Sequence, residues 1–187
     1  MKHSVALGLV PHTGWSWLVR VSGTAEGATV DLRARVVACD VLDGELYHLA
    51  AGRSRDRERF VSGGRTRAIR QARDAIGEHL GAVRRAVVVG KRMTLPPVER
   101  IVAAHPLIHG AEGELWRAAF AEACATSGLA VVRREAGQVR DALAKHRAPA
   151  AIAAFLAAGR HAVGAPWTRE PQDAALAAWS ALIALDG

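Results

Sequence analysis

The order of β-forming and helix-forming segments constrains this chain most. Three strand-like runs stand together at its head, and helices and strands alternate only afterwards. Ser4–Val10 is an unbroken apolar run, Pro11, Thr13 and Gly14 turn the chain into Trp15–Val21, and Ala34–Leu42 is rich in β-branched residues. Runs this close together are predicted to pair as an antiparallel meander, with Leu46–Leu49 as a short addition before a basic loop.

From Gly64 the pattern changes. Ile69, Ala72, Ile76 and Leu80 recur at spacings of three and four, with arginines on the opposite face, which predicts an amphipathic helix ending near Gly81. Arg84–Gly90 follows as a short buried strand. Ala111–Ser127 is then predicted as a helix and Gly128–Arg133 as a further strand. Crossovers of this kind make parallel strands. Ala136–Lys145, Ala150–Ala158 and Pro171–Leu185 complete the series as helices, the last with proline and Asp173 in its first turn. The predicted class is a single α/β domain over 1–187. Its mixed sheet has three antiparallel strands followed by parallel ones, flanked by helices.

Composition narrows the function classes. Half of the 187 residues are hydrophobic, enough for one sizeable core. The N-terminus lacks the long apolar stretch and small-residue cleavage site of a secretory signal, and no segment reaches the ~18 apolar residues of a membrane span. Cys39 and Cys124 are the two cysteines, outside any C-x-x-C spacing, so neither a disulfide framework nor a thiolate metal site is indicated. A cytoplasmic protein without a membrane partner is expected.

The net charge of +7 is concentrated. Eight arginines (53, 55, 57, 59, 65, 67, 70 and 73) face only Asp56 and Glu58 between Arg53 and Arg73. A guanidinium fork can give a phosphate two parallel hydrogen bonds, so Arg53, Arg55, Arg65, Arg67 and Arg70 are candidates for holding DNA or RNA. The same run also fits a merely solvated helix face.

Gly8-Leu-Val-Pro-His-Thr-Gly-Trp15 is similar to the strand end of RuvC-type resolvases, a branch of the ribonuclease H-like superfamily, where Gly, an apolar residue, Asp, Pro and Gly precede a Thr-Gly-aromatic turn. Glu135–Arg140 resembles the passage from that family's last strand into a helix, and Gln172–Ala177 resembles its closing helix. The resemblance implies a ribonuclease H-like fold. It also implies two divalent ions held by acids at the end of the first strand, near the fourth strand and at the start of the last helix, to cleave a phosphodiester. Here Val10 and Val89-Gly90-Lys91 stand at the first two places, and only Asp173 matches. One carboxylate cannot hold two magnesium ions, and an acid in a helix's first turn is also ordinary capping. A two-metal nuclease is therefore not expected.

A second constellation is available. His105-Pro-Leu-Ile-His109-Gly-Ala-Glu112-Gly-Glu114 places imidazoles and carboxylates around a helix start. In a ribonuclease H-like sheet His12 and Asp173 would lie nearby. Asp173, His12, His109 and Glu112 are thus candidates for acid–base catalysis, and His105, His109, Glu112 and Asp173 for a divalent metal. Pro106 argues against both histidines sharing one helix face, and the alternative is a plain helix start. No cofactor is otherwise implied.

Trp167 could stack on a base with Arg169 beside it for phosphate, or plug the space under the last helix. Lys91 and Arg92 could also contact phosphate. Four readings remain: a nucleic-acid-associated protein with a degenerate nuclease site, an enzyme on phosphodiesters or nucleotides with a rebuilt site, a homodimeric interaction protein using the alanine-rich stretches Ala148–Ala158 and Ala174–Ala184, and a ribosomal-RNA binder of related fold.

Overall fold

The computed structural model describes residues 4–24 and 26–183. β1 (Ser4–His12) pairs antiparallel with β2 (Trp15–Gly23), which pairs antiparallel with β3 (Ala28–Val37). β4 (Val83–Val89) runs parallel along the other side of β1, and β5 (Ala130–Arg134) parallel to β4. The five-stranded order β3-β2-β1-β4-β5 is the predicted mixed sheet, antiparallel then parallel.

The pleat decides which helices each residue meets. Leu7, Leu9, Ala86 and Val88 project to one face, where they pack with α3 (Arg57–Ile76) and α5 (His105–Thr126) through residues such as Val61, Ala72, Leu115 and Phe120. Ala6, Val19, Val87 and Val89 project to the other, under α6 (Ala136–Ala144), α7 (Pro149–Val163) and α8 (Arg169–Ile183). Each large aliphatic side chain so buried stabilises the fold by about 1.5–3 kcal/mol relative to exposure.

The approach of α8 to β1 is the closest of these contacts. A Cβ on Gly8 would fall onto the backbone carbonyl of Ala174, and Ala174, Ala175, Ala177 and Ala178 are fully buried. The alanines of this helix thus serve contact with the chain's own sheet. Ala184 lies outside the described residues. In α7, by contrast, Ala150, Ala151, Ala153, Ala154, Ala157 and Ala158 are exposed.

Several elements differ from the sequence expectation. Leu46–Leu49 is not a strand: after the single turn α1 (Val41–Gly44) it forms α2 (Leu46–Ala51), burying Leu46, Tyr47 and Ala50 at helical spacing. β3 stops at Val37, short of Leu42, because the Ala38 and Cys39 N–H groups turn to donate to the Gly14 carbonyl. α3 begins at Arg57, ahead of Gly64, which is retained where the Leu46 side chain presses against the helix backbone. α4 (Val98–Val102) was not anticipated. α5 starts at His105, and Pro106 sits in its first turn, where the missing N–H has no intrahelical partner to lose. Pro106 therefore does not part His105 from His109, as the sequence had suggested.

Both cysteines are free, and burial pushes the Cys124 thiol up to about 12. Among the described residues, no helix is long and apolar enough to cross a membrane.

The Gly8 contact makes a prediction. Gly8→Ala must displace α8 and is expected to cost at least about 1–3 kcal/mol, the range for overpacking. Gly137→Ala on α6, whose Cβ would meet open space, is expected to be neutral or to stabilise by up to about 1 kcal/mol. Urea unfolding midpoints of the two variants check both.

Candidate functional site

Gly8, Val10 and His12 alternate onto the α8 face of β1. Ala174 covers Gly8, and Glu170, one turn earlier, meets His12 with Oε1 3.1 Å from Nε2. The helix therefore runs antiparallel to the strand, and Val10 faces the stretch between these contacts, where Asp173 lies. Val89 continues the register beside Val10, and both pack into the same apolar cluster as Ala174. At the carboxyl ends of β1 and β4, where the RuvC resemblance calls for acids, the wall is hydrocarbon.

Asp173 is 8 % exposed and already has cationic partners. Arg140 of α6 brings Nη2 to 2.5 Å from Oδ1, and the Nε of Arg169 stands 3.7 Å from Oδ2. Both carboxylate oxygens thus face guanidinium groups. Two divalent cations need several oxygen ligands. Two valines and one arginine-paired aspartate do not fit them.

A second buried carboxylate lies on the opposite face of the sheet. Glu114 of α5 takes a bidentate pair from Arg133 of β5, at 2.7 and 2.8 Å, and accepts the Met93 N–H at 3.1 Å. Arg117 approaches it at 3.5 Å and packs across Gly90, whose φ of +140° suits glycine. Burial pushes the Glu114 carboxyl up. The hydrogen bonds from Arg133 and Met93 and the charges of Arg133 and Arg117 outweigh it and leave the pKa below its ordinary value. Lys91 and Arg92 follow in exposed positions. A groove of about 470 Å³ beside β5 is lined by Gly90, Arg92, Arg133, Arg134, Glu135 and Gln138.

The arginine-rich segment occupies the loop after α2, together with α3, on the α5 side of the sheet. Arg57 is tied to Glu99 at 2.5 Å, and Arg65 donates to the Tyr47 hydroxyl at 2.6 Å. Arg53 lies over the Phe60 ring, and Arg55 is exposed. Arg59, Arg67 and Arg70 surround a shallow groove floored by Phe60, Gly63 and Gly64. These side chains form an outward-facing basic strip. Trp167 and Arg169 stand on the other side of the molecule. The Trp167 indole donates to the Leu156 carbonyl at 2.9 Å and its ring fills the space over Gly159, which is the packing alternative. Arg169 projects with its side chain 83 % exposed.

The grouping of His12, His105, His109, Glu112 and Asp173 does not form. His12 and Asp173 are on the α8 face and the other three on α5, with the sheet between them. His105 and His109 instead meet His48 of α2, with ring centroids 4.4–5.6 Å apart. Glu112, 3 % exposed, accepts the Tyr47 N–H at 2.6 Å and the His48 N–H at 3.1 Å, with the His48 Nδ1 3.5 Å away. Burial raises the Glu112 carboxyl, against these hydrogen bonds and the His48 imidazole. Its first role is to cap α2. His48 carries no site signal in the sequence, because its segment reads as a strand whereas it folds as α2. The stack of His12 on Trp15 at 4.1 Å, with the Arg35 guanidinium 4.3 Å from the centroid of the same Trp15 ring, likewise carries no signal in the sequence. It spans the β1–β2 turn and only the folded hairpin with β3 brings it together.

The Glu114 cluster predicts an acid dependence. The folded-state pKa lies below 4.5, so this pairing stabilises the fold fully above that pH and is lost as the pH falls through the folded value. Arg133→Met, which leaves Glu114 buried with poorer partners, is expected to cost about 3–5 kcal/mol at pH 7. The deficit relative to the parent should shrink near pH 4 as Glu114 takes up a proton. Urea unfolding at the two pH values tests both statements.

No protein-family model matches the sequence, and no curated protein does. Solved structures do. Thermus thermophilus RuvC superposes with a TM-score of 0.58 at 16 % identity, covering 98 % of this chain and 96 % of that one. Thermus thermophilus RuvC in complex with Holliday junction substrate superposes with a TM-score of 0.57 at the same identity and coverage. At this identity the likeness concerns architecture, and with the strand order and the placement of α8 it establishes that the chain has the ribonuclease H-like fold in its RuvC-like form.

Proposed function

We propose that this protein binds structured nucleic acid through phosphate contacts from arginine, and that it does not hydrolyse phosphodiesters by the two-metal route. The observation that carries the reading is the pairing of Asp173 with Arg140 beside Val10 and Val89. The place where a RuvC-like fold would gather cations presents one neutralised carboxylate and two apolar side chains. Basic groups gather around it instead: Lys91, Arg92 and Arg134 at the ends of β4 and β5, and Arg169 at the start of α8. Arg55, Arg59, Arg67 and Arg70 extend positive charge over the α3 side.

DNA is the first partner to test, because a solved structure of the same fold is that of RuvC with a Holliday junction substrate. The contacts are of a kind that positions a backbone and reads no sequence, so binding should depend steeply on salt and little on base sequence. A joint catalytic centre from His12, His109, Glu112 and Asp173 has no support, since those residues lie on opposite faces.

Fluorescence anisotropy with a four-way DNA junction and a matched duplex tests the reading. Binding should survive EDTA and weaken with salt. Arg67→Glu/Arg70→Glu is expected to lower affinity at least tenfold near 100 mM salt and to reduce the slope of log K against log salt by about two. Equal affinity of parent and variant would overturn the arginine reading. Junction cleavage in magnesium that is abolished by Asp173→Asn would overturn the statement about catalysis.

A further inference from the structure

We infer that His48, His105 and His109 form a binding site for a zinc-class transition-metal ion, which clamps α2 to the start of α5. One nitrogen from each imidazole can be chosen so that all three lie within 4.8 Å of one another, and among the described residues this is the group of His, Cys, Asp or Glu so placed. Zinc holds imidazole nitrogens at 2.0–2.1 Å, which for tetrahedral geometry puts ligand atoms about 3.4 Å apart. Rotations of the rings about their χ angles cover the remaining difference of at most about 1.4 Å, with no backbone movement required.

Three features distinguish the cluster from a chance meeting of surface histidines. The first is helical register. His105 and His109 stand one turn apart on α5, the i,i+4 spacing that lets two imidazoles reach one ion from a single helix face. The second is the third ligand's origin on a separate element, since His48 comes from α2, 57 positions before His105 in the chain. The third is Glu112. Its Oε1 lies 3.5 Å from the His48 Nδ1, its Oε2 is buried with no hydrogen-bond partner, and it is fixed by the two α2 N–H groups. A small ring rotation makes a carboxylate–imidazole hydrogen bond that orients His48 and directs Nε2 to the ion. Metal-binding histidines commonly have such a partner.

The chemistry selects the ion class. Three neutral nitrogen donors suit zinc, cobalt, nickel or copper, whereas magnesium and calcium require oxygen. His105 and His109 are exposed, so a fourth position opens to solvent and would be filled by water or by an oxygen of a phosphate. A metal here would also fasten α2, which leads directly into Arg53. The inference is independent of nucleic-acid binding, because it rests on other residues and is read without DNA.

The test uses the full chain without a polyhistidine tag, with zinc and then cobalt as probes. Chelator competition is expected to give one zinc per chain, and the cobalt form should show the intense visible bands of a four-coordinate site. His105→Ala and His109→Ala, both exposed positions, should each weaken binding at least 100-fold and remove the bands. Glu112→Gln should weaken it about 10–100-fold, as loss of an orienting partner does. Zinc at 100 times its Kd should raise the thermal midpoint of the parent and leave that of His105→Ala unmoved. His161→Ala, on exposed α7, is the control and should bind as the parent does. Zinc binding of equal strength in the parent and in His105→Ala, or no stoichiometric binding by the parent, would overturn the assignment.

Discussion

The contact between α8 and β1 at Gly8 organises the rest of the molecule. A helix backbone can lie against a strand this closely only where both sides lack bulk, and here the strand offers glycine and the helix a run of buried alanines. That contact fixes helix height and register together. It sets Glu170 against His12 and brings Asp173 into reach of Arg140 from α6. A longer side chain at residue 8 would lift the helix and separate each of these pairs. The residues that decide the chemistry of this edge are therefore positioned by residues with no chemistry of their own.

Among the described residues three carboxylates are buried, and each is satisfied by a different device. Asp173 has guanidinium groups, Glu114 a bidentate arginine with a second arginine behind it, and Glu112 the N–H groups at the start of a short helix. A buried charge left unpaired would cost several kcal/mol, so such pairings are conditions of folding rather than additions to it. The consequence reaches the surface. Arginines that neutralise internal acids, such as Arg133, are withdrawn from any ligand, and what remains available to an anion are groups that answer no buried carboxylate, among them Lys91, Arg92, Arg134, Arg55 and the outward arginines of α3. Formal charge counts do not make that distinction, whereas the fold does.

The sheet was legible because its signals are local. Apolar runs of β-branched residues, short turns and the later alternation with helices specify strand order and sense without knowledge of partners. That Val10 and Val89-Gly90 carry no acid is legible for the same reason, being a matter of residue identity at a strand end. What escaped depends on long-range contact. Leu46–Ala51 has the residues of a short strand, but Glu112, some 65 positions later, supplies the acceptor that helical N–H groups need. Pro106 in the sequence argues against His105 and His109 sharing a helix face, yet its place in the first turn makes it harmless. The combined His and Asp173 site failed for a geometric reason: residues near strand ends and residues on a crossover helix can share an edge of the sheet and still be divided by its thickness.

That division has a consequence for how the molecule can be altered. The α8 face carries a single buried carboxylate, Asp173, paired with Arg140 and Arg169, while the α5 face carries the histidine cluster and the basic helix. The two faces share only the strands between them. Substituting Val10 by aspartate would place a carboxylate opposite Asp173 without touching any histidine, and Arg140 would then face two acids at once. Like charges so close resist joint ionisation, and one arginine cannot pair with both at full strength. The arginine that now closes the site would become the counter-ion of a pair that a divalent cation could compete for. Building a cation site here thus requires removal of the arginine as well as gain of the acid, because Arg140 otherwise stays as the counter-ion of the new pair.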